Sequence, residues 1–228
     1  MNKAYLLVGG SGGVGFAVKE YISHNKVQKD KLIEISRNSE DALIKKSLAE
    51  TTSKDFDFLS TDYSLNIIFC HRYRGDDPLE EFKTHIIDPL KLINNLELKY
   101  NLSNIIFMTS TCVDRPVYNQ NTTYHATRGA IDALIRKLAI DKGKNKCRVN
   151  GIAINTIIKH TNKDYFNDNC EIPDLLNKTT PLRRMGTAHD AAKTIYAICN
   201  KEFTFMTGQI INIDGGLSLV NQEDINIV

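Results

Sequence analysis

Short runs of apolar residues alternate along the chain with longer segments in which apolar residues recur every three or four positions. Uninterrupted apolar runs are typical of strands buried on both faces, and the longer spacing is typical of helices that cover such a sheet. The predicted strands occupy residues 4–8, 31–35, 66–70, 104–108, 148–154 and 209–213. The predicted helices occupy residues 14–25, 79–98, 123–142 and 188–199. Pro89 should kink the second helix or tighten one of its turns. This alternation predicts a three-layer, doubly wound, mostly parallel α/β fold of the Rossmann-like class.

Length and composition place the chain among ordinary globular proteins. Its 228 residues are 42% hydrophobic and 25% charged, which predicts a single domain over residues 1–228 with a substantial core. This composition excludes the disordered, collagen-like and coiled-coil classes. The 29 basic and 27 acidic residues leave a formal net charge of +2. A charge so close to zero indicates neither a nucleic-acid partner nor binding to an anionic membrane.

The cysteines and the first residues bear on the location of the protein. Five cysteines are scattered without any CxxC pair, so we expect reduced thiols and no metal site. The N-terminal segment carries only a short apolar run before a glycine-rich loop, unlike a signal peptide. No run approaches the roughly 18 apolar residues of a membrane span. We therefore expect a cytoplasmic protein without a membrane partner.

A glycine-rich loop lies between the first predicted strand and the first predicted helix. Gly9 permits a tight turn, Gly13 lets the backbone approach a pyrophosphate, and Gly15 lets the helix pack closely on the strand. Ser11 and Val14 belong to the same segment, where the helix N-terminus offers free N–H donors and a positive dipole end. A flexible turn or another anion site would use similar glycines, but the strand–loop–helix context favours a dinucleotide.

Several motifs match one family in the same order along the chain. The spacing Gly9-x-x-x-Gly13-x-Gly15 resembles the TGxxxGxG loop of short-chain dehydrogenases/reductases, with Val8 in place of the threonine. The segment from Tyr124 to Arg128, Y-H-A-T-R, stands where that family has YxxxK. The chain is therefore identified as a divergent member, similar to the family outside residues 38–65. Further similar segments are the strand ending in Ser110, R-V-N-G-I-A at 148–153, P-L-R-R-M-G at 181–186 and T-G-Q-I-I-N-I-D-G-G at 207–216.

The resemblance implies a set of catalytic residues. Tyr124 would be the general acid/base, and Ser110 would be the donor that orients the substrate oxygen. Arg128, one helical turn after Tyr124, would supply the cation and contact the cofactor ribose, although arginine is bulkier than lysine and never releases its proton. His85 stands at or near the family's relay asparagine and would pass protons there. The alternatives are an exposed tyrosine, a helix-surface arginine and a bystander histidine.

The segment after the second predicted strand bears on the choice of cofactor. An acidic residue there would bind the ribose hydroxyls of NAD(H), whereas Arg37 can hold a 2′-phosphate, which favours NADP(H). A solvated loop arginine is the alternative. The resemblance places Cys70 and Asn155, together with Tyr124 and Arg128, among the cofactor contacts. The family's N-N-A-G motif is replaced by C-H-R-Y at residues 70–73. Its Pro-Gly pair is replaced by Ile154-Asn155.

These features favour an NADP(H)-dependent oxidoreductase that interconverts a carbonyl and an alcohol on a small molecule. The replaced motifs favour the alternative, a non-catalytic relative that binds nucleotide or acts as a structural partner. Dehydratase or epimerase chemistry on a nucleotide sugar ranks last, because the C-terminal region is short. Residues 156–180 stand where the family has its substrate lid. Family relatives pack the helices that correspond to 79–98 and 123–142 into four-helix bundles, so we expect a homodimer or a homotetramer.

One region is too short for the family pattern. Between Arg37 and the strand at residue 66 the family fits a helix, a third strand and another crossover helix, and a parallel crossover takes a dozen or more residues. Either residues 41–50 form the only crossover helix and the third strand is reduced or lost, or a short strand at 42–44 precedes a helix at 45–54. We favour the first arrangement. Both place the shortened part beside the adenosine pocket.

Overall fold

The computed structural model, which describes residues 2–200, 202–221 and 223, contains the parallel sheet that the alternation predicts. The strands are β1 (Lys3–Val8), β2 (Lys31–Ile35), β3 (Ser64–Phe69), β4 (Asn101–Ser110), β5 (Arg148–Ile154), β6 (Ile157–Ile158), β7 (Gly186–Thr187) and β8 (Ile210–Ile213). Six of them form one sheet in the order β2-β1-β3-β4-β5-β8, and every pairing in it is parallel. The strands β6 and β7 pair separately. The fold is the predicted doubly wound, Rossmann-like class.

Helices cover both faces of this sheet. They are α1 (Gly13–Asn25), α2 (Pro78–Phe82), α3 (Asp88–Glu97), α4 (Thr122–Gly143), α5 (Lys163–Asp168), α6 (Glu171–Thr179) and α7 (Ala188–Cys199). Short 3₁₀ turns occupy Leu48–Glu50, Ser53–Phe56, Thr111–Val113 and Leu217–Leu219. The predicted bounds of β2, β5 and α7 are confirmed to the residue. None of the described helices combines the length and the apolar character that a bilayer span requires.

The side chains of β1 alternate between the two faces of the sheet. Leu6 and Val8 pack in the layer that α3 and α4 cover, whereas Tyr5 and Leu7 pack in the layer that α1 and α7 cover. All four side chains are buried. Burial of each such side chain contributes about 1.5–3 kcal/mol, so the central strands anchor the loops that follow them.

The long helix predicted over residues 79–98 is divided upstream of Pro89. After α2 the chain continues as a π-helical stretch, Lys83–Ile87, and α3 begins at Asp88. Pro89 has no N–H to donate to the carbonyl of His85, and its ring crowds that carbonyl. The helix accommodates the proline by adopting the wider hydrogen-bonding pattern of a π-helix, from each carbonyl to the N–H five residues later. The turn is therefore wider rather than tighter, and His85 lies within it.

The helix predicted over residues 41–50 is wrong, whereas the reduced third strand is confirmed. Ile44 forms a single parallel bridge with Ile35 at the edge of β2. The N–H of Ile44 donates to the carbonyl of Glu34 (3.1 Å), and the N–H of Ser36 donates to the carbonyl of Ile44 (3.1 Å). The third strand of the family pattern, which is not β3 of this structure, is thus reduced to the single residue Ile44.

Side chains in the following segment explain why no α-helix forms there. Ser47 and Glu50 form one capping box, and Thr52 and Asp55 form another only five residues later. A capping box marks the start of a helical turn, and Thr52 is extended with φ −122° and ψ 166°, so the second box begins a new turn and ends the first after Glu50. The alternative arrangement is therefore right about a strand position within 42–44 and wrong about a helix at 45–54.

The segment predicted as a lid, residues 156–180, folds as β6, α5 and α6. Within it Phe166 is buried and Tyr165 is half exposed. The rings of the two residues contact each other edge to face, with 5.4 Å between their centroids. The segment is anchored to the core through Ile157, which is buried in the layer that α1 and α7 cover.

Candidate active site

The predicted site residues gather at one edge of the main sheet. The chain order of the strands reverses between β1 and β3, and sheets of this class bind ligands outside the carboxyl ends of the strands at such a point. One predicted residue or loop follows or ends each of five strands: Gly9 after β1, Arg37 after β2, Cys70 after β3, Ser110 in β4 and Asn155 after β5. The remaining three are His85 in the π-helical stretch and Tyr124 and Arg128 in α4.

The glycine-rich loop leaves no room for side chains. Gly9 has a φ of 85° and Gly13 a φ of 58°, both in the left-handed region that glycine tolerates. A Cβ atom on Gly9 would lie 2.6 Å from the Cα of His71. A Cβ atom on Gly15 would lie 1.9 Å from the carbonyl oxygen of Gly9. The loop is held closely between α1 and the segment that follows β3.

The N-terminus of α1 is open to a ligand. Gly12 caps this helix without a side-chain hydrogen bond, and nothing lies within 4 Å of a Cβ built on it. Ser11 is exposed at the tip of the loop, whereas the side chain of Val14 packs into the core. The aliphatic part of Lys159 lies 3.7 Å from a Cβ built on Gly13. Free amides with a neighbouring ammonium fit the pyrophosphate of a dinucleotide.

Charged side chains surround the end of β2, where the adenosine half of such a cofactor would lie. Glu34 is 3% exposed, and the ammonium of Lys19 lies 2.9 Å from its carboxylate and 3.3 Å from that of Asp41. The hydroxyl of Ser39 also donates to Glu34 at 3.1 Å. Arg37 is exposed and forms no hydrogen bond or ion pair within the described part of the chain. Its guanidinium is therefore available to a ligand.

Ser110 and Tyr124 lie at the end of β4 and in the first turn of α4. The side chain of Asn121 caps α4 by accepting a hydrogen bond from the backbone N–H two residues later (2.9 Å), which fixes that turn. The hydroxyl of Ser110 donates to the carbonyl of Ile154 (3.3 Å) and accepts from the N–H of Cys112 (3.2 Å). Both side chains are only partly buried, so a substrate can reach them.

Arg128 is buried and holds its guanidinium against the ring of Tyr124. The residue is 4% exposed, and the guanidinium carbon lies 4.7 Å from the centroid of the ring. Nη1 donates to the carbonyl of Met108 (3.1 Å), and Nη2 lies 3.2 Å from Nε2 of His85. Burial lowers the pKa of the Arg128 guanidinium, which still stays charged at neutral pH. The planar fork reaches two partners at once, which a lysine ammonium does at best with weaker geometry.

His85 and His71 form a stacked pair of neutral imidazoles. Nε2 of His85 accepts from the N–H of Tyr73 (3.2 Å) and faces Arg128, so Nε2 carries no proton. Burial and then the charge of Arg128 lower the pKa of His85. The ring of His71 stacks on it with 5.1 Å between centroids, and Nε2 of His71 donates to the carbonyl of Thr84 (2.9 Å). Burial lowers the pKa of His71 to about 4.

Cys70 and Asn155 differ in what they offer a ligand. The N–H of Cys70 donates to the carbonyl of Val8 (2.9 Å), its Cβ lies 3.2 Å from a Cβ built on Gly15, and burial raises the pKa of its thiol to about 12. Oδ1 of Asn155 is buried and has no hydrogen-bond partner among the described residues. A ligand N–H would satisfy this acceptor, as the carboxamide of a nicotinamide does.

Comparison with known families agrees with this geometry. The model of the family described as enoyl-(acyl carrier protein) reductase matches residues 91–218, more than half of the chain. The matched range contains Ser110, Tyr124 and Arg128. The chain belongs to the short-chain dehydrogenase/reductase family. Members of this family are oxidoreductases with a Rossmann-like, NAD(P)-binding fold.

Individual members resemble the chain over different lengths. A tropinone reductase homolog of Arabidopsis thaliana is 31% identical over 118 residues, which cover 51% of this chain and 42% of that protein, so the chain spans less than half the length of this relative. Another tropinone reductase homolog of the same plant is 27% identical over 248 aligned positions, covering 94% of this chain and 92% of that protein. The solved structure of ElxO with NADP bound has a TM-score of 0.80 at 18% identity, covering 96% of this chain and all of that one, and shows a common fold.

The structure adds two cationic residues to the site that the motifs do not assign to it. The guanidinium carbon of Arg72 lies 5.2 Å from the centroid of the Tyr124 ring, and Lys159 lies beside the glycine-rich loop. Arg72 belongs to the C-H-R-Y stretch that replaces the family's small residues, which is the signal that pointed to an altered site. Lys159 follows two apolar residues of β6, and nothing in its local sequence distinguishes it from a surface lysine.

Proposed function

We propose that this chain is an NADP(H)-dependent oxidoreductase that interconverts a carbonyl and an alcohol on a small-molecule substrate. The observation that carries the proposal is the contact of Tyr124 with the buried Arg128, 4.7 Å from ring centroid to guanidinium carbon. This contact lies at the same edge of the sheet as the glycine-rich loop. A proton donor with a fixed cation, beside a cradle for a dinucleotide, is what carbonyl reduction requires.

Each residue of the site has a separate task in this proposal. A bound NADP(H) supplies or accepts the hydride. Tyr124 donates its phenolic proton to the carbonyl oxygen in reduction and accepts a proton from the alcohol in oxidation. Ser110 exchanges its hydrogen bond with Ile154 for one to the same substrate oxygen. Arg128 stabilises the negative charge that develops on the oxygen of Tyr124 when the proton leaves.

The residues at the crevice fit a dinucleotide with a 2′-phosphate. Gly9 and Gly13 supply a loop without side chains, and Oδ1 of Asn155 supplies a buried acceptor without a partner. Arg37, free of ion pairs in the described chain, supplies a cation after β2. Lys19 offsets the charge of Glu34 at the same end of the crevice, which reduces the repulsion that a phosphate would meet there.

His85 holds Arg128 in place in this proposal. A relay would need a proton on Nε2 or an open path to it, and that atom already accepts from the N–H of Tyr73 and faces Arg128. The single lone pair of Nε2 is shared between the N–H of Tyr73 and Nη2 of Arg128, and this contact orients the guanidinium. We therefore assign His85 a positioning role, and the relay that its sequence position suggests is the weaker hypothesis.

A non-catalytic nucleotide-binding protein is the second candidate, and one observation favours it. Nη1 and Nη2 of Arg128 bond to Met108 and His85, and the hydroxyl of Ser110 bonds to Ile154. A site whose groups bond mainly to each other is typical of a structural role. The two candidates share the cofactor and differ in turnover.

Binding and turnover measured side by side test the proposal. NADPH emission reports binding with little background, because the chain contains no tryptophan. We expect wild type to bind NADPH and to oxidise it with at least one member of a carbonyl panel. Tyr124→Phe should lower kcat about 100-fold or more with NADPH affinity unchanged. Tyr118→Phe, at a fully exposed tyrosine of the same type, is the matched control and should leave kcat unchanged.

Two other outcomes separate the candidates. Binding without turnover over the whole panel, with no effect of Tyr124→Phe on any rate, favours the non-catalytic protein. Failure to bind either NADPH or NADH contradicts the oxidoreductase and the nucleotide-binding protein alike, and favours a structural partner protein that has lost the nucleotide.

The proposed assembly is a homodimer or homotetramer formed through α3 and α4. Exposed apolar residues near or on these helices, Leu98 and Ile140, support such a contact. Light scattering on the purified protein gives the mass, and a monomer would contradict the proposal.

A cytoplasmic location also stays a prediction, and the five free cysteines suit a reducing compartment.

A further inference from the structure

Three basic side chains that have no carboxylate partner in the described chain lie near the glycine-rich loop and Tyr124. We call Arg72, Arg74 and Lys159 the cationic cluster. The two arginines follow β3 and are exposed, and Lys159 follows β6 and is partly buried. No side chain of the cluster forms a hydrogen bond or an ion pair within the described residues. The cluster therefore presents uncompensated positive charge at the mouth of the crevice.

The members of the cluster are close enough to repel one another. The pKa of Lys159 is lowered by burial and then by the charges of Arg72 and Arg74. Arg72 also adds to the charges that lower the pKa of the buried Arg128. The carboxylates of Glu81, buried on α2, and of Asp132 on α4 interact electrostatically with Arg128. Like charges gathered in a crevice raise the local concentration of anions and are stabilised when one binds.

The position of each cation indicates which part of a ligand it meets. Lys159 lies along the glycine-rich loop, 3.7 Å from a Cβ built on Gly13, where the pyrophosphate of a dinucleotide fits. Arg72 lies instead at the reacting end, with its guanidinium carbon 5.2 Å from the ring centroid of Tyr124. A group that contacts Tyr124 and Arg72 together belongs to the substrate.

We propose that the substrate carries an anionic group, a carboxylate or a phosphate, which Arg72 binds beside Tyr124 with Arg74 contributing charge. The inference rests on the proposed function, because it names the substrate class of the same site. An exposed guanidinium offers two parallel N–H donors to the two oxygens of such a group. The anion would therefore fix the orientation of the substrate carbonyl relative to Tyr124, and neutral carbonyl compounds would be poor substrates.

Calorimetric titration with small probes tests the inference without relying on turnover. NADPH-saturated wild type is titrated at constant ionic strength with glutarate, with inorganic phosphate and with neutral glutaramide. We expect glutarate or phosphate to bind about tenfold or more tightly than glutaramide. The tighter of the two anions identifies the group, since glutarate represents carboxylates and phosphate represents phosphorylated substrates.

Variants assign the binding to Arg72. Arg72→Ala should weaken binding of the preferred anion about tenfold or more, with NADPH affinity unchanged. Arg72→Lys keeps the charge and should retain part of the affinity, which controls for a folding defect in the alanine variant. Arg136→Ala removes an exposed arginine about two helical turns after Arg128 on α4 and should change neither affinity.

Two results would overturn the inference. One is that Arg72→Ala binds the preferred anion with the same affinity as wild type. The other is an equal loss of NADPH and anion affinity in Arg72→Ala, which would assign the arginine to the cofactor. Failure of wild type to bind NADPH would contradict the proposed function separately. In that case the same titrations on the free chain decide the inference: Arg72-dependent anion binding supports it, and none overturns it.

Discussion

The glycine-rich loop and the surroundings of Tyr124 share one edge of the sheet, but they are built in opposite ways. The loop depends on missing side chains, since a Cβ on Gly9 or Gly15 would lie 2.6 Å or 1.9 Å from neighbouring backbone. The surroundings of Tyr124 depend on long side chains that reach across the fold, such as Arg72 and Arg128. The loop can therefore be recognised from local spacing, whereas the charged network becomes visible only in the folded chain.

Removing the buried cation tests the second region most severely. Arg128→Met keeps most of the side-chain length but removes the charge and the donors to Met108 and His85. We expect kcat to fall about 100-fold or more and the free energy of unfolding to fall by about 1–3 kcal/mol. Arg136→Met, an exposed arginine on the same helix, should change both quantities little. Equal effects of the two substitutions would contradict the role given to Arg128.

Acid should destabilise the histidine side of this network. Burial holds the pKa of His71 at about 4, below the value of about 6.5 for an unfolded histidine. The unfolded chain therefore binds the proton first, so the stability is complete above pH 6.5 and declines as the pH falls toward 4. This group contributes up to about 3 kcal/mol to that decline.

Denaturant titrations across this pH range measure the effect. His71→Gln should flatten the dependence relative to wild type, and His24→Gln, at an exposed histidine of α1, is the matched control. Identical slopes for His71→Gln and wild type would contradict the neutral state of His71.

A pair of glycine substitutions tests the first region. Gly15→Ala forces a Cβ into the carbonyl oxygen of Gly9 and should lower the free energy of unfolding by about 1–3 kcal/mol. Gly129→Ala lies in α4 with open space around a new Cβ, so it should raise stability by up to about 1 kcal/mol. Thermal unfolding of both variants measures the contrast. Equal changes in the two variants would mean that the loop is not held as closely as described.

The smallest expected effect concerns the choice of cofactor. Arg37→Ala should weaken NADPH binding about tenfold and leave NADH binding unchanged, because only NADPH carries the 2′-phosphate. Fluorescence titration of wild type and variant with both cofactors measures the difference. Equal affinity for NADPH and NADH before and after the substitution would contradict the assignment of Arg37.

Regular elements are predictable from sequence where local and tertiary preferences agree. The bounds of β2, β5 and α7 follow directly from apolar runs and spacing. The segment at 41–50 is different, because a second capping box at Thr52 begins a new turn and interrupts the helix that the family pattern suggested. Pro89 predicts a disturbance in its helix, but sequence does not distinguish a tight turn from the wide one that contains His85.

The candidate site is predictable only in part, for a related reason. Glycine spacing and the interval from Tyr124 to Arg128 are local, so the sequence shows them. The partners of Arg128 are not local, since His85 precedes it by 43 residues and meets it only through packing of α4 against the π-helical stretch. The contact of Arg72 with Tyr124 has the same origin, because β3 and β4 are neighbours in the sheet.

The central claim is that Tyr124, beside Arg128 and the glycine-rich loop, drives hydride transfer between NADPH and a carbonyl. Mass spectrometry of products formed from NADPH that carries deuterium at both hydrogen positions of the nicotinamide C4 tests it most directly. The account predicts an alcohol one mass unit heavier with wild type and with Tyr118→Phe, and almost none with Tyr124→Phe. Deuterated alcohol formed at the same rate by Tyr124→Phe, or none formed by wild type from any carbonyl, anionic ones included, would contradict it.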